Sequence, residues 1–196
     1  MGLSDDLQGA HDAPTACEDR GNSAPGQNEA SRGNPEAFAY LQRGFAKLSQ
    51  FDYDGALADY DEAIRLGPND PLAYYHRAAV RLIKEDYEGA IADDSEAIRL
   101  NPDYADAYYT RGQVRRLSGD YDGAVADFSQ VIRLRPDSGD AYYGRACADA
   151  LSGRREAALD SLWRAIQRDP TRRDMASTDP DLTSLHDDPR FRKLVG

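Results

Sequence analysis

The side chains best suited to catalysis or metal binding are few and widely separated in this sequence. The two cysteines are Cys17 and Cys147, and the three histidines are His11, His76 and His186. Only His11 and Cys17 are near neighbours; they could form a metal or redox site, but an isolated pair of this kind is more commonly incidental. We find no nucleophile elbow, phosphate-cradling loop, metal-binding cluster or glycine-rich dinucleotide fingerprint. The sequence therefore predicts a protein that is not an enzyme and that has no metal site and no cofactor.

Arginine and aspartate recur together at a spacing that predicts ion pairs. The aspartate follows the arginine by sixteen residues in the pairs Arg43–Asp59, Arg77–Asp93 and Arg111–Asp127. At the same distance Arg145 is followed by Ser161, so Arg145 needs another partner. We expect partly buried salt bridges that fix the geometry between two helices. The alternative is a row of arginines that binds an acidic ligand, and pairing would largely neutralise such a row.

These residues belong to a stretch that recurs every 34 residues. The pattern Asp-Tyr-acid-Gly-Ala-aliphatic-Ala-Asp starts at Asp52, Asp86 and Asp120, and a weaker copy starts at Arg154. A fixed period of this size indicates a solenoid. We divide the repeats into frames 37–70, 71–104, 105–138 and 139–172, each consisting of a helix A, a turn and a helix B.

Two features of the frames predict how the helices begin and pack. The three aspartates that start the pattern stand where an N-cap of helix B is needed. Helix A carries tyrosine at its fourth position and a small residue at its eighth, and a ring beside a missing side chain lets two helices pack closely. The tyrosines are Tyr40, Tyr74, Tyr108 and Tyr142, and the small residues are Gly44, Ala78, Gly112 and Ala146.

Over residues 37–172 the frames resemble the tetratricopeptide repeat, whose signature places tyrosine, small and proline residues at these positions. Departures occur at Asp94, which replaces the aromatic residue at position 24 of the second frame, and at Arg155 in the fourth. The resemblance implies an all-α fold, an α-solenoid of four helix-turn-helix repeats with a C-terminal capping region. The fourth repeat is the degenerate one, as expected near a solenoid end.

The resemblance also implies where a ligand would bind. In this family helix A lines a concave groove, and its positions 2, 5, 9 and 12 face that groove. Tyrosine is a frequent binding anchor because it offers a large contact area with few rotatable bonds. The alternative is that the rings only pack between repeats, as aromatic stripes commonly do. The predicted groove residues are Tyr75, Tyr109, Tyr143, Phe45, His76, Asp106, Gln113 and Asp140; among them, the acids would select a basic partner and His76 could add a pH-dependent contact.

The two ends of the chain differ from the repeats. Residues 1–33 are rich in Gly, Ser, Asn, Asp and Pro without apolar periodicity, so we expect a disordered tail. The repeats occupy residues 34–172, and residues 173–196 form a cap. Two Asp-Pro pairs in the cap predict two short helices packed on helix B of the fourth repeat. The residues expected to face inward are Leu182, Leu185, Phe191 and Leu194. This ending resembles that of bacterial tetratricopeptide proteins.

The composition limits the classes of partner. With a formal net charge of −11 and a pI of about 4.7, the chain should repel nucleic acid and anionic membrane surfaces, so a basic or polar peptide fits better. The start of the sequence has no secretory signal pattern, which favours a cytoplasmic location. Rare lysine and common arginine suggest a bacterial source.

These observations predict a protein-protein interaction scaffold or adaptor that binds an extended peptide or a helix in the concave groove. The alternative is a self-associating module, a homo-oligomer through the N-terminal end of the solenoid. Its contact residues would be Phe38, Phe45 and Phe51. A single polar residue essential for turnover would instead indicate an enzyme.

Overall fold

A computed structural model describes residues 34–196, and all regular structure in this range is helical. The predictions for residues 1–33, including the disordered tail and the interpretation of His11 and Cys17, lie outside the described residues. The helices are α1 (Pro35–Ser49), α2 (Tyr53–Leu66), α3 (Pro71–Ile83), α4 (Tyr87–Leu100), α5 (Ala105–Leu117), α6 (Tyr121–Leu134), α7 (Gly139–Leu151), α8 (Arg155–Arg168), α9 (Arg172–Thr178), a 3₁₀ helix (Pro180–Leu185) and α10 (Pro189–Val195). About four helix-turn-helix repeats are therefore followed by short C-terminal helices, as predicted.

The repeated aspartates are N-caps, as the sequence predicts. The side chain of Asp52 accepts a hydrogen bond of 3.0 Å from the backbone N–H of Gly55. The same bond recurs at α4 and α6, where Asp86 and Asp120 are the caps. A Cβ atom on Gly55 would lie 2.1 Å from the second oxygen of the capping carboxylate, so a side chain at this position would displace the cap. The repeated Asp-x-x-Gly pattern is therefore explained by the N-cap at the start of the first three B helices.

The chain divides into two compact units, one ending at Glu85 and one from Asp86 to Gly196. In the first unit α1 and α2 form a hairpin, and α3 packs on both. The Tyr60 ring is fully buried and packs against Gly44, where an added Cβ would be 2.6 Å from a ring carbon. The ring that fills the gap at the eighth position therefore comes from helix B, at position 24 of the frame, and the prediction that the tyrosine of helix A fills it is wrong.

The tyrosines at the fourth position have a different contact. In each repeat the guanidinium of the arginine three residues later lies over the tyrosine ring, at 4.6 Å for Arg43 over Tyr40. The corresponding distances for the other three repeats are 5.7, 5.6 and 5.4 Å. Such cation–π contacts hold each arginine in place on helix A.

In the second unit each helix from α4 to α8 packs on the next, and α5 also contacts α7. The core of its C-terminal part includes Leu162 of α8 together with Leu182, Leu185 and Phe191 of the short helices. These three cap residues are buried, as predicted, and Leu194 packs at the edge of the same cluster.

The position of the cap was predicted only in part. The helices α9 and α10 contact each other and α8, which is helix B of the fourth repeat, as expected. The 3₁₀ helix Pro180–Leu185 packs instead on α7, which is helix A of that repeat, so the prediction is wrong for this segment. The reason is that α7 offers small and aromatic side chains on a second face, where the two leucines of the segment become buried.

Candidate functional site

Two of the predicted salt bridges are present, and both are bidentate. Arg43 contacts the carboxylate of Asp59 at 2.8 and 2.6 Å. Arg111 contacts Asp127 at 2.9 and 2.7 Å. Both aspartates are buried, and hydrogen bonding by Arg43 lowers the pKa of Asp59. These arginines are neutralised by their partners, which confirms the structural interpretation of the two pairs and weakens the idea of an arginine row that binds an acidic ligand.

The remaining arginines of the series differ. Arg77 lies 2.6 Å from the carboxylate of Asp61. Its predicted partner Asp93 belongs to the other unit, and that pairing stays a prediction. Arg145 donates a hydrogen bond of 3.0 Å to the hydroxyl of Ser161, which is the residue at the aspartate position of its repeat.

In the first unit, the predicted groove residues form an aromatic cluster. The ring of His76 stacks on Tyr60, with centroids 5.8 Å apart, and meets Phe45 edge-on at 6.0 Å. Tyr75 lies against His76, with centroids 5.3 Å apart. Phe45 is 43% exposed, and Phe38, which lies about two turns earlier on α1, is also partly exposed. The side of α1 that is predicted to face the groove therefore presents apolar rings to solvent.

Burial lowers the pKa of His76 to about 4. The imidazole is therefore neutral throughout the usual physiological range. The pH-dependent contact expected from the sequence would operate only in strongly acidic solution, because burial disfavours the charged imidazolium.

In the second unit, Tyr109 and Gln113 lie together on α5. The Tyr109 ring meets Phe128 edge-on, with centroids 5.7 Å apart. Burial raises the pKa of Tyr109, and a hydrogen bond with Gln113 partly opposes that shift. Tyr109 of α5 therefore packs on α6 through its ring.

The two acids predicted to select a basic partner are already paired within the chain. Arg135 contacts both carboxylate oxygens of Asp106, at 2.5 and 2.8 Å. Arg172 of α9 forms an ion pair with Asp140. Arginines of the chain itself therefore neutralise both carboxylates, which leaves them less able to attract a basic partner.

Tyr143 is covered by the C-terminal segment of the chain. Its hydroxyl donates a hydrogen bond of 2.6 Å to Asp179, and its side chain is only 8% exposed. Cys147, one turn further along α7, is 3% exposed and its thiol lies 3.7 Å from the same carboxylate. Burial raises the pKa of both groups. The predicted ligand contact at Tyr143 is thus occupied by Asp179.

The segment that follows Asp179 completes this contact. Asp181 forms an ion pair with Arg116 at the end of α5. Leu182 and Leu185 are buried in the cluster around α7, and the Ser184 hydroxyl donates to the backbone carbonyl of Ala150 at 3.4 Å. The sequence analysis identified the Asp-Pro pair as a helix start but missed its contacts, because nothing in local spacing specifies which face a segment docks on.

Three potential metal ligands meet in the same place. One ligand atom each from Cys147, Asp179 and Asp181 lies within 4.8 Å of the others. Asp179 accepts from Tyr143, and Asp181 is paired with Arg116. The two carboxylates are therefore held by protein donors, and the group is explained by these contacts.

No helix within residues 34–196 combines the length and the apolar composition needed to cross a bilayer.

Comparison with known proteins agrees with the repeat architecture. The family model of the TPR repeat matches residues 39–82, 80–115 and 112–153. No curated protein matches the sequence significantly. Among solved structures, the chain is similar to YrrB, described as a TPR protein with an unusual peptide-binding site, with a TM-score of 0.70, 21% identity and coverage of 86% of this chain and 88% of that one.

Two further structures are similar. MamA has a TM-score of 0.67 and 23% identity, with coverage of 74% of this chain and 85% of that chain. The second TPR domain of Spaghetti (RPAP3), bound to the HSP90 peptide SRMEEVD, has a TM-score of 0.52 and 29% identity, with coverage of 55% and 99%. The repeated caps, the helix pairs and a family match over more than half of the sequence establish that the chain belongs to the tetratricopeptide repeat family.

Proposed function

We propose that the chain is a scaffold or adaptor that binds an extended peptide or a helix of a partner protein on the groove-facing sides of its A helices. One observation carries this proposal: the side of α7 that is predicted to face the groove already holds residues 179–185 through both polar and apolar contacts. A surface that accommodates a segment of its own chain has the shape and chemistry of a peptide-binding surface.

The similar structures support the same role. Tetratricopeptide repeats typically mediate protein–protein contacts, and the solved relatives include a domain bound to the peptide SRMEEVD and a protein with a peptide-binding site. The family is generally non-catalytic, which supports the proposal that the chain is not an enzyme. A cytoplasmic location and a bacterial source remain proposals that depend on composition.

The expected charge of the partner needs revision in one respect. Selection of a basic partner by Asp106 and Asp140 loses support, because both carboxylates are paired with arginines. The net charge of −11 still favours a basic or polar partner over an anionic surface, through long-range attraction.

A capture experiment from lysate tests the proposed site. The baits are the wild-type chain, Phe45→Ala with Tyr75→Ala, and the control Trp163→Ala. Trp163 is 48% exposed on α8, a B helix, and so matches the exposure of Phe45 away from the groove-facing side. Bound proteins should disappear with the double variant and persist with the control, at unchanged helicity by circular dichroism. Equal capture by all three baits would contradict the proposal.

Self-association is a second candidate, favoured by the apolar exposure of the N-terminal unit. Phe51 is 73% exposed, and Phe38 and Phe45 are partly exposed on α1. Large apolar side chains exposed in this way can contribute to a contact surface between copies of the chain. Sedimentation velocity at increasing concentration would show a dimer that is lost in Phe51→Ser, whereas a constant monomer mass would exclude this candidate.

A further inference from the structure

The segment Asp179-Pro180-Asp181-Leu182 makes specific contacts that a simple apolar cap does not require. We propose that the groove-facing sides of α5 and α7 form a receptor for an acidic Asp-Pro-Asp-Leu segment. The chain's own residues 179–185 occupy it, and a partner protein binds by presenting the same kind of segment and displacing them. This inference rests on the proposed function and specifies the chemistry of its ligand. The ligand is a short acidic segment that Arg116 matches locally, in place of the basic partner that the net charge of −11 favours at long range.

The first recognition element is the carboxylate of Asp179. One oxygen accepts a hydrogen bond of 2.9 Å from the backbone N–H of Asp181 and so starts the 3₁₀ helix. The other oxygen accepts from the Tyr143 hydroxyl at 2.6 Å. A short acidic side chain can make both contacts at once, and Pro180 favours the helix start that presents it.

The second element is the pair between Asp181 and Arg116, which carries the segment beyond α7 to the end of α5. Each side chain keeps less than a quarter of its exposure, so the pair is largely removed from water. A cap of the fourth repeat needs to cover only the apolar surface of that repeat. The Asp181–Arg116 pair reaches the A helix of the preceding repeat, as a ligand lying across neighbouring A helices would.

The third element is a pair of apolar anchors. Leu182 and Leu185 are 0% and 1% exposed, and they join a cluster that includes Tyr143 and Ala150. Buried anchors of this kind provide most of the binding energy of a short segment, while polar contacts set its register. The ligand pattern is therefore Asp-Pro-Asp-Leu-x-x-Leu.

An external ligand must compete with the internal segment for the same contacts. The internal segment competes because it is tethered, with an effective concentration on the order of millimolar. An internal ligand bound 90–99% of the time weakens an external one by about 10- to 100-fold.

Cys147 provides a direct reporter, since the segment covers its thiol. In a Cys17→Ser background, Cys147 is the remaining cysteine of the sequence. The labelling rate of Cys147 by a thiol reagent is measured in the full chain and in Asp181→Asn. The control is Asp187→Asn, which removes a fully exposed carboxylate shortly after the segment. Asp181→Asn should label at least about tenfold faster than the control, at unchanged helicity.

The external ligand is a fluorescent peptide that copies residues 177–187. It should bind Asp181→Asn at least about tenfold more tightly than wild type and slow the labelling of Cys147 again. The same peptide with asparagine at both positions of the Asp-Pro-Asp motif should do neither. Arg116→Gln, which alters the receptor, should also speed labelling but should not bind the peptide.

Labelling rates equal to the control in both variants, or faster labelling without protection by the peptide, would overturn the inference and leave the segment as a permanent cap. Either result leaves the proposed function standing, because that function is tested by capture through Phe45 and Tyr75. Conversely, equal capture by all three baits together with protection of Cys147 by the peptide would contradict the proposed site at Phe45 and Tyr75 and would support the receptor on α5 and α7.

Discussion

Replacing Asp94 by leucine should stabilise the protein. Asp94 is 0% exposed, and neither of its carboxylate oxygens has a hydrogen-bond partner within residues 34–196. It occupies the position of the frame at which Tyr60, Phe128 and Leu162 are buried in the other repeats. Leucine has the same number of side-chain heavy atoms as aspartate and the same branching, so it can fill the site without a polar group.

The size of the effect follows from the burial. A neutral carboxyl group buried without a hydrogen bond costs about 1–3 kcal/mol. Burial of a leucine side chain contributes about 1.5–3 kcal/mol. Allowing for imperfect fit, we expect Asp94→Leu to raise the free energy of unfolding by about 2–4 kcal/mol at neutral pH. For a chain of this size that corresponds to a rise of about 5–10 °C in Tm.

The gain should depend on pH in a defined direction. Burial raises the pKa of Asp94 well above its ordinary value of 3.8, with Arg111 opposing the shift and Asp93 and Asp127 adding to it. Folding therefore takes up a proton at this site. The contribution of Asp94 to stability is greatest below the unfolded-state pKa and declines as the pH rises toward the folded-state pKa. The decline is about 1.4 kcal/mol per pH unit in that window.

Urea unfolding followed by circular dichroism, at a series of pH values from about 4 to 7, measures both effects. The matched control is Asp160→Leu, which removes a half-exposed carboxylate paired with Arg164 and should change stability by less than about 0.5 kcal/mol. A loss of stability in Asp94→Leu at neutral pH would refute the reasoning, because the carboxylate would then have a favourable partner.

Three further predictions concern packing, backbone strain and acid stability. Gly44→Ala should lower the free energy of unfolding by about 1–3 kcal/mol, because its Cβ would lie 2.6 Å from a carbon of the Tyr60 ring. Phe51→Gly should raise it by about 0.5–1 kcal/mol, since Phe51 has a φ of 61° and its ring is exposed. Hydrogen bonding by Arg190 lowers the pKa of Asp188 to about 2. Its contribution is therefore complete above the ordinary pKa and is lost as the pH falls through about 2, and an acid titration of Asp188→Asn beside wild type measures the loss.

Each of these three predictions has a control variant or an outcome that would contradict it. In Gly67→Ala the new Cβ would lie 3.4 Å from its nearest neighbour, so thermal melts should show a much smaller effect than for Gly44→Ala. Gly119→Ala places a side chain at a φ of 87° and should destabilise the protein by about 1–2 kcal/mol, opposite in sign to Phe51→Gly. Equal acid unfolding of Asp188→Asn and wild type would show that the hydrogen bonds of Asp188 do not contribute to folding.

The repeat architecture could be predicted because its determinants are local and periodic. A cap such as Asp52, with its glycine three residues later, specifies a helix start within one turn of chain. The bidentate pair of Arg43 and Asp59 follows from two helices of one hairpin, which the repeat itself defines. The residues that form the cap and the pair recur every 34 residues in the first three repeats, and this repetition strengthens the prediction.

The candidate site was predicted less completely. Position in the repeat predicted groove-facing rings such as Phe45, but could not show that burial would lower the pKa of His76 to about 4. It also could not show that arginines distant in sequence would neutralise the acids, as Arg135 does for Asp106. Such partners come from other helices, and the sequence period carries no information about them.

The sequence by itself determined the family, the helix pairs, their caps and two ion pairs within the hairpins, Arg43–Asp59 and Arg111–Asp127. Only the tertiary structure decided that the Asp-Pro-Asp-Leu segment docks on α7 and covers Tyr143. The physical reason is that helix propensity and capping act over a few residues, whereas the choice of a docking face depends on which apolar and charged groups distant repeats leave accessible.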